Sequence, residues 1–166
     1  MGIFDALFGQ KPTSNTLTVS TILPVEAKNE ILRGKLPHLQ NDRIFLKKGE
    51  VCHYIDKTLM MKPKVKRNYG KVGIGTTIWG LRISGGFIEP IEQNYHEQIK
   101  GIIYITNKRT IFQAESNGFD KAHTSLTAVV PYSNAVDMQY GSTHYCLIVP
   151  DGHLVNEVYN IIHKPR

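Results

Sequence analysis

Little in this sequence ties it to a reaction. Its 166 residues include two cysteines, Cys52 and Cys146, each inside a strand-like run. A disulfide scaffold needs more pairs in a shorter secreted chain. Two reduced, buried thiols are therefore the expectation, with one cross-strand bridge as the alternative. No apolar run approaches the roughly 18 residues of a membrane span. The start lacks a basic region, an apolar core and a small-residue cleavage site, and no Asn-x-Ser/Thr acceptor occurs anywhere. The expectation from these absences is a cytoplasmic chain, with the periphery of the inner membrane as its furthest reach.

Catalytic signatures are missing as well. The seven histidines, His38, His53, His96, His123, His144, His153 and His163, show no zinc-like spacing. The glycine-rich run at 70–77 fits neither a Walker loop nor a dinucleotide fingerprint, since Ile78 stands where a third glycine is needed. There is no Gly-x-Ser-x-Gly elbow and no evident pair of carboxylates. The expectation is no metal, no cofactor and no enzyme. A small enzyme whose site is assembled across loops is the rival reading.

Acid is scarce in one place only. Residues 57–71 hold Lys57, Lys62, Lys64, Lys66, Arg67 and Lys71 with no Asp or Glu among them. The whole chain has 20 basic and 14 acidic residues, so removing these six leaves 14 of each and a neutral remainder. A local patch of this kind predicts an anionic partner at one place, a membrane surface or a protein. Lys62, Lys64 and Lys66 also alternate, as on the solvated face of an edge strand, and a solubilising edge is the competing reading. Nucleic acid ranks below a membrane or a protein, because one run of six charges is thin for that purpose.

What is present reads as two parts. Residues 1–9 set Ile3, Phe4, Leu7 and Phe8 on one helical face, and Gly9 and Pro12 end the pattern. So short a helix must dock to persist, on its own domain, on a second copy or in a bilayer. Residues 10–23, with six Ser or Thr, read as a linker, so that 1–23 form an arm and 24–166 the domain. Pro24 and Gly34 bracket a short helix with Val25, Lys28, Ile31 and Leu32 on one side.

From residue 45 the period changes to that of strands. Residues 50–61, 76–83, 102–106, 110–112, 124–131, 135–140 and 144–150 read as strands; 87–98 read as a loop and 115–118 as a turn. Gly80 suggests a bulge in the second of these runs. At the end, Asp151 is a candidate N-cap for a helix carrying Leu154, Val155, Val158, Tyr159, Ile161 and Ile162 in a wide apolar stripe.

The sharpest local signal is the hairpin at 101–112, where two β-branched runs meet at Asn107-Lys108. Asn suits the positive φ of a tight turn. The phrase Tyr104-Ile105-Thr106-Asn107-Lys108-Arg109-Thr110-Ile111-Phe112 resembles the central hairpin of bacterial pleckstrin-homology-like and GRAM domains. Lys48-Gly49-Glu50 ahead of the first strand supports the resemblance, which spans about residues 45–163. It implies a mainly β, α+β fold: a split barrel of about seven antiparallel strands capped by a C-terminal helix, here preceded by a helical arm. It further implies a non-enzymatic binding or scaffolding module for a protein partner or an anionic membrane surface, and, as related bacterial domains form rings, homo-oligomeric assembly as the alternative. No inositol-phosphate specificity is carried over, since the basic window does not match the lipid-binding loop residue by residue.

Overall fold

The computed structural model describes residues 17–63, 77–78, 81–90 and 96–165. Its elements are α1 (Val25–Leu32), β1 (Cys52–Pro63), β2 (Thr77–Ile78), β3 (Leu81–Ser84), β4 (Phe87–Pro90), β5 (His96–Thr106), β6 (Arg109–Gln113) and β7 (Phe119–Ala122). A single 3₁₀ turn (His123–Ser125) leads to β8 (Leu126–Tyr132), β9 (Ala135–Tyr140), β10 (Thr143–Ile148) and α2 (Gly152–His163).

Seven strands form one open antiparallel sheet in the order β7-β6-β5-β1-β10-β9-β8. The long first strand lies at its centre. One edge of β1 pairs with β5 from Cys52↔Thr106 to Pro63↔His96, and the other pairs with β10 through Leu59↔Ile148 to Met61↔Cys146. Because β1 is covered on both faces, its apolar residues run on without alternation: Leu59, Met60 and Met61 are all buried. Tyr54 and Met60 join the larger core with Ile103, Phe112, Met138 and Leu147. α2 closes that side with Leu154, Val155, Val158 and Tyr159. Its N-cap is Asp151, whose Oδ1 accepts from Leu154 N at 3.1 Å. The fold is thus mainly β, a split-barrel α+β arrangement capped by a C-terminal helix, and among the described residues no helix is long and apolar enough to cross a membrane.

The reverse face carries a smaller core of Val19, Leu59, Met61, Ile88, Ala135 and Ile148. Two segments cover it. Residues 17–23, expected as linker, lie against the sheet: Thr21 Oγ1 and Ile22 N both donate to the buried Asp56 at 2.7 Å. A second, three-stranded sheet, β2-β3-β4, is anchored through Asn134, whose Oδ1 accepts from Ile88 N at 3.0 Å while Nδ2 donates to Leu17 O at 2.8 Å.

Several boundaries differ from the sequence reading. Thr77–Ile78 and Leu81–Ser84 are two strands paired antiparallel, Thr77 with Arg82, where one strand was expected; the Gly80 bulge lies outside the described residues. The 87–98 stretch holds β4 and the start of β5 instead of a loop. Gly85 and Gly86, both at positive φ (56° and 83°), make the tight turn that pairs β3 with β4, a geometry other residues adopt only under strain. β7 went unread because Phe-Asp-Lys-Ala is short and half polar. In α1 the buried residues are Ala27 and Ile31, while Val25 and Leu32 are 68% and 64% exposed. Two helical turns bury one narrow edge, and the i, i+4 pair takes it. Cys52 and Cys146 are both free thiols, and burial pushes them up to about 11 and about 12.

Candidate functional site

One end of the sheet gathers the loop before β1, the β5–β6 turn and the last residues of α2. The turn at Asn107-Lys108 does not use a positive φ; Asn117 is the only non-glycine residue there among the described ones. The Thr106 hydroxyl shapes the turn instead, accepting from Lys108 N (3.1 Å) and Arg109 N (3.0 Å) and giving its proton to Glu50 Oε1 (2.6 Å). The Asn107 side chain is thereby free to clamp the neighbouring loop. Its Oδ1 accepts from Val51 N at 2.9 Å, and its Nδ2 donates to Gly49 O at 3.0 Å.

Arg109 is the hub. Its Nε donates to Glu50 Oε1 (2.8 Å), Nη2 to Glu50 Oε2 (3.2 Å) and to Phe45 O (2.6 Å), and Nη1 to Asp120. Glu50 Oε2 also accepts from Lys47 N at 2.6 Å. Burial by itself would raise the Glu50 carboxyl, but the hydrogen bonds from Arg109, Lys47 and Thr106 and the Arg109 charge overcome it and hold it at about 2.

These bonds fix a loop that exposes what proteins normally hide. Asn41 Oδ1 accepts from Arg43 N and Ile44 N at 3.1 and 3.2 Å, and Lys108 Nζ donates to Lys48 O at 2.6 Å. The backbone is tied at 43, 45, 47, 48 and 49, yet Phe45 is 95% exposed and Leu46 39%. Around them stand four exposed cations, Arg43, Lys47, Lys48 and Lys108, with Asp42 the one exposed acid in 41–49. Phe45 thus stands in water on a hydrogen-bonded tip flanked by cations.

Beside the tip lies a groove of about 580 Å³ whose walls include Leu36, His38, His53, Ile161, Ile162 and Lys164. His38 and His53, fifteen positions apart, have ring centroids 5.9 Å apart. His53 Nδ1 sits 2.8 Å from Pro37 O. A second histidine pair, His123 of the 3₁₀ turn and His163 at the end of α2, has ring centroids 5.7 Å apart. His123 Nε2 donates to Thr106 O at 2.7 Å, leaving a buried Nδ1 without a partner.

Burial first of all lowers the pKa of both His53 and His123. Both therefore take up a proton less readily in the folded chain than in the unfolded chain, where uptake falls near pH ~6.5. The unfolded state binds more protons below that value, so these histidines stabilise the fold above ~6.5 and withdraw that support as pH falls towards their lowered values. Glu50 has the same sign further down, between 4.5 and about 2. Asp56 and Asp137, raised by burial, act in the opposite sense. Thermal denaturation should show a melting temperature that falls from about pH 7 to about pH 5.5, with a slope flattened in His123→Gln. An equal slope in that variant would exclude His123 as its source.

Of the basic window expected from the sequence, Lys57 and Lys62 are among the described residues. Lys57 Nζ donates to Ser20 Oγ at 3.4 Å and Lys62 Nζ to Asn117 Oδ1 at 2.6 Å. Five positions apart on one strand, they point to opposite faces and are not brought together. Lys64, Lys66, Arg67 and Lys71 lie outside the described residues, as do Ile3, Phe4, Leu7 and Phe8 of the arm. The tip itself was missed, although Arg43-Ile-Phe-Leu-Lys-Lys48 carries its signal, three apolar residues between bases.

Fold and surface together define a mainly β module with a fixed apolar tip in a cationic ring and a basic groove beside it. The chain matches no protein-family model and no curated protein.

Proposed function

We propose that this chain is a non-enzymatic, pleckstrin-homology-like binding module that docks on an anionic membrane surface through residues 43–48 and Lys108. The single observation that carries this reading is Phe45, fully in water while its own carbonyl is held by the buried Arg109. Burying such a ring contributes about 1.5–3 kcal/mol. Each neighbouring cation adds about 1 kcal/mol at an acidic lipid surface. The sum suits reversible, peripheral attachment. The Thr106–Arg109 hairpin, the seven antiparallel strands and the C-terminal helix support the family reading.

A protein partner is the second reading. It is favoured by β8, a terminal strand of the sheet among the described residues, which with α2 borders a cleft of about 200 Å³.

Co-sedimentation with phosphatidylserine-containing vesicles tests the first reading. Binding is expected at low salt, weakening as salt rises, absent on phosphatidylcholine alone, and lost in Phe45→Ser and in Lys47→Glu/Lys48→Glu. Equal sedimentation of wild type and Phe45→Ser would defeat it. Charge reversal at Lys62, Lys64, Lys66 and Arg67 supplies the contrast, because Lys62 stands near the far end of β1, roughly 35 Å along the strand. Loss there alone would move the contact face to that end.

A further inference from the structure

The groove beside the tip has no part in docking by Phe45, and its chemistry is more selective than a general attraction to anions. We propose that it binds a single phosphomonoester group bearing an apolar tail, the head of a monophosphorylated lipid. Its volume of about 580 Å³ is that of a small-molecule site. His38, His53 and Lys164 reach it from three separate segments, the loop before β1, β1 itself and the residue after α2, and none of its lining residues is acidic. Leu36, Ile161 and Ile162 give it an apolar wall.

The selectivity comes from His53. A carbonyl oxygen only accepts, so the ring nitrogen 2.8 Å from Pro37 O, Nδ1, carries the hydrogen. The other nitrogen, Nε2, then holds a lone pair, and burial favours the neutral ring in the free protein. The charged or titratable groups around that ring are His38 from its own loop, Lys164 across the groove and His123 from the 3₁₀ turn. An ionised carboxylate or phosphodiester brings acceptors alone and meets that lone pair with another. A phosphomonoester, with a second pKa near ~6, brings a proton to share with Nε2 while its other oxygens accept from the Lys164 ammonium. The proton lies on the phosphate or on the ring, and the hydrogen bond is the same.

Calorimetric titration with dihexanoyl phosphatidic acid, kept below its micelle concentration, reads the groove without a bilayer. Saturable one-site binding is expected, weakened about tenfold in Lys164→Gln and in His53→Gln. Dihexanoyl phosphatidylglycerol, a diester with the same tails, and glycerol phosphate, the head without them, should each bind at least about tenfold more weakly. A diester bound as tightly as the monoester would overturn the proposal. Glycerol phosphate bound as tightly as the lipid would overturn the tailed occupant in favour of a soluble phosphate ester. Should His53→Gln fail to fold, Lys164→Gln at the exposed end of α2 decides, and unchanged affinity there would overturn the site. Groove and tip are separable: titration without vesicle sedimentation removes membrane docking alone, and sedimentation without titration removes the groove alone.

Discussion

Replacing Arg109 with Ala is expected to lower stability by about 3–5 kcal/mol, the range for stripping one partner from a buried ion pair. The Glu50 carboxylate would remain in the interior with its countercharge gone, and Phe45 O and Asp120 would each lose a donor. Against a total stability of about 5–15 kcal/mol this is a large fraction, and for a chain of this size it corresponds to about 10 °C or more in melting temperature. Arg109→Lys should recover only part of the loss, because one ammonium cannot span acceptors on Glu50, Phe45 and Asp120 at once. Removing both charges, as Arg109→Met with Glu50→Gln, should be less damaging than Arg109→Ala, since no buried charge is then stranded. A single substitution that leaves the melting temperature unchanged would show that the cluster does not hold this end of the sheet together.

Gly152→Ala should be comparably severe, against what helix propensity predicts. Ala is the best helix former and Gly among the worst, a difference of about 1 kcal/mol in favour of the substitution. Position 152, however, begins α2 directly on the β8–β9 turn, and a β-carbon there would stand 2.0 Å from both Tyr132 O and Ala135 O. Those are backbone atoms of paired strands and have nowhere to go. The expected cost is about 4 kcal/mol or more, seen as loss of soluble protein or of the cooperative thermal transition. A stabilised Gly152→Ala protein would mean that α2 starts elsewhere.

How much of this was legible in the sequence depends on the range over which each residue acts. α2, its Asp151 cap, the 135–140 and 144–150 strands and the 101–112 hairpin were readable because capping and periodicity are local. The short strand β7 was hidden by its polar residues and β4 by Pro90 and the polar stretch after it, and the pairing of both is decided by neighbours. Asn107 was assigned to its turn for the wrong reason: its side chain serves a loop 56 residues earlier. The tip escaped notice for a related cause. Charge density drew attention to residues 57–71, whereas Arg43, Lys47, Lys48 and Lys108 become one patch only when Arg109 closes the loop onto the hairpin. Which histidines meet could not be read from spacing, because His38–His53 and His123–His163 are joined by tertiary packing.

The position of β1 at the middle of the sheet also sets an order of events. It precedes both of its partners in the chain, and one of its two edges waits for β10. The Thr58 hydroxyl reaches its acceptor, Ile148 O, across 90 residues. Until that return is made, Leu59–Met61, the apolar part of a twelve-residue strand, has one edge unsatisfied. Such non-local closure is slow compared with hairpin formation. The chain is therefore most exposed to aggregation in the interval before β10 pairs with β1.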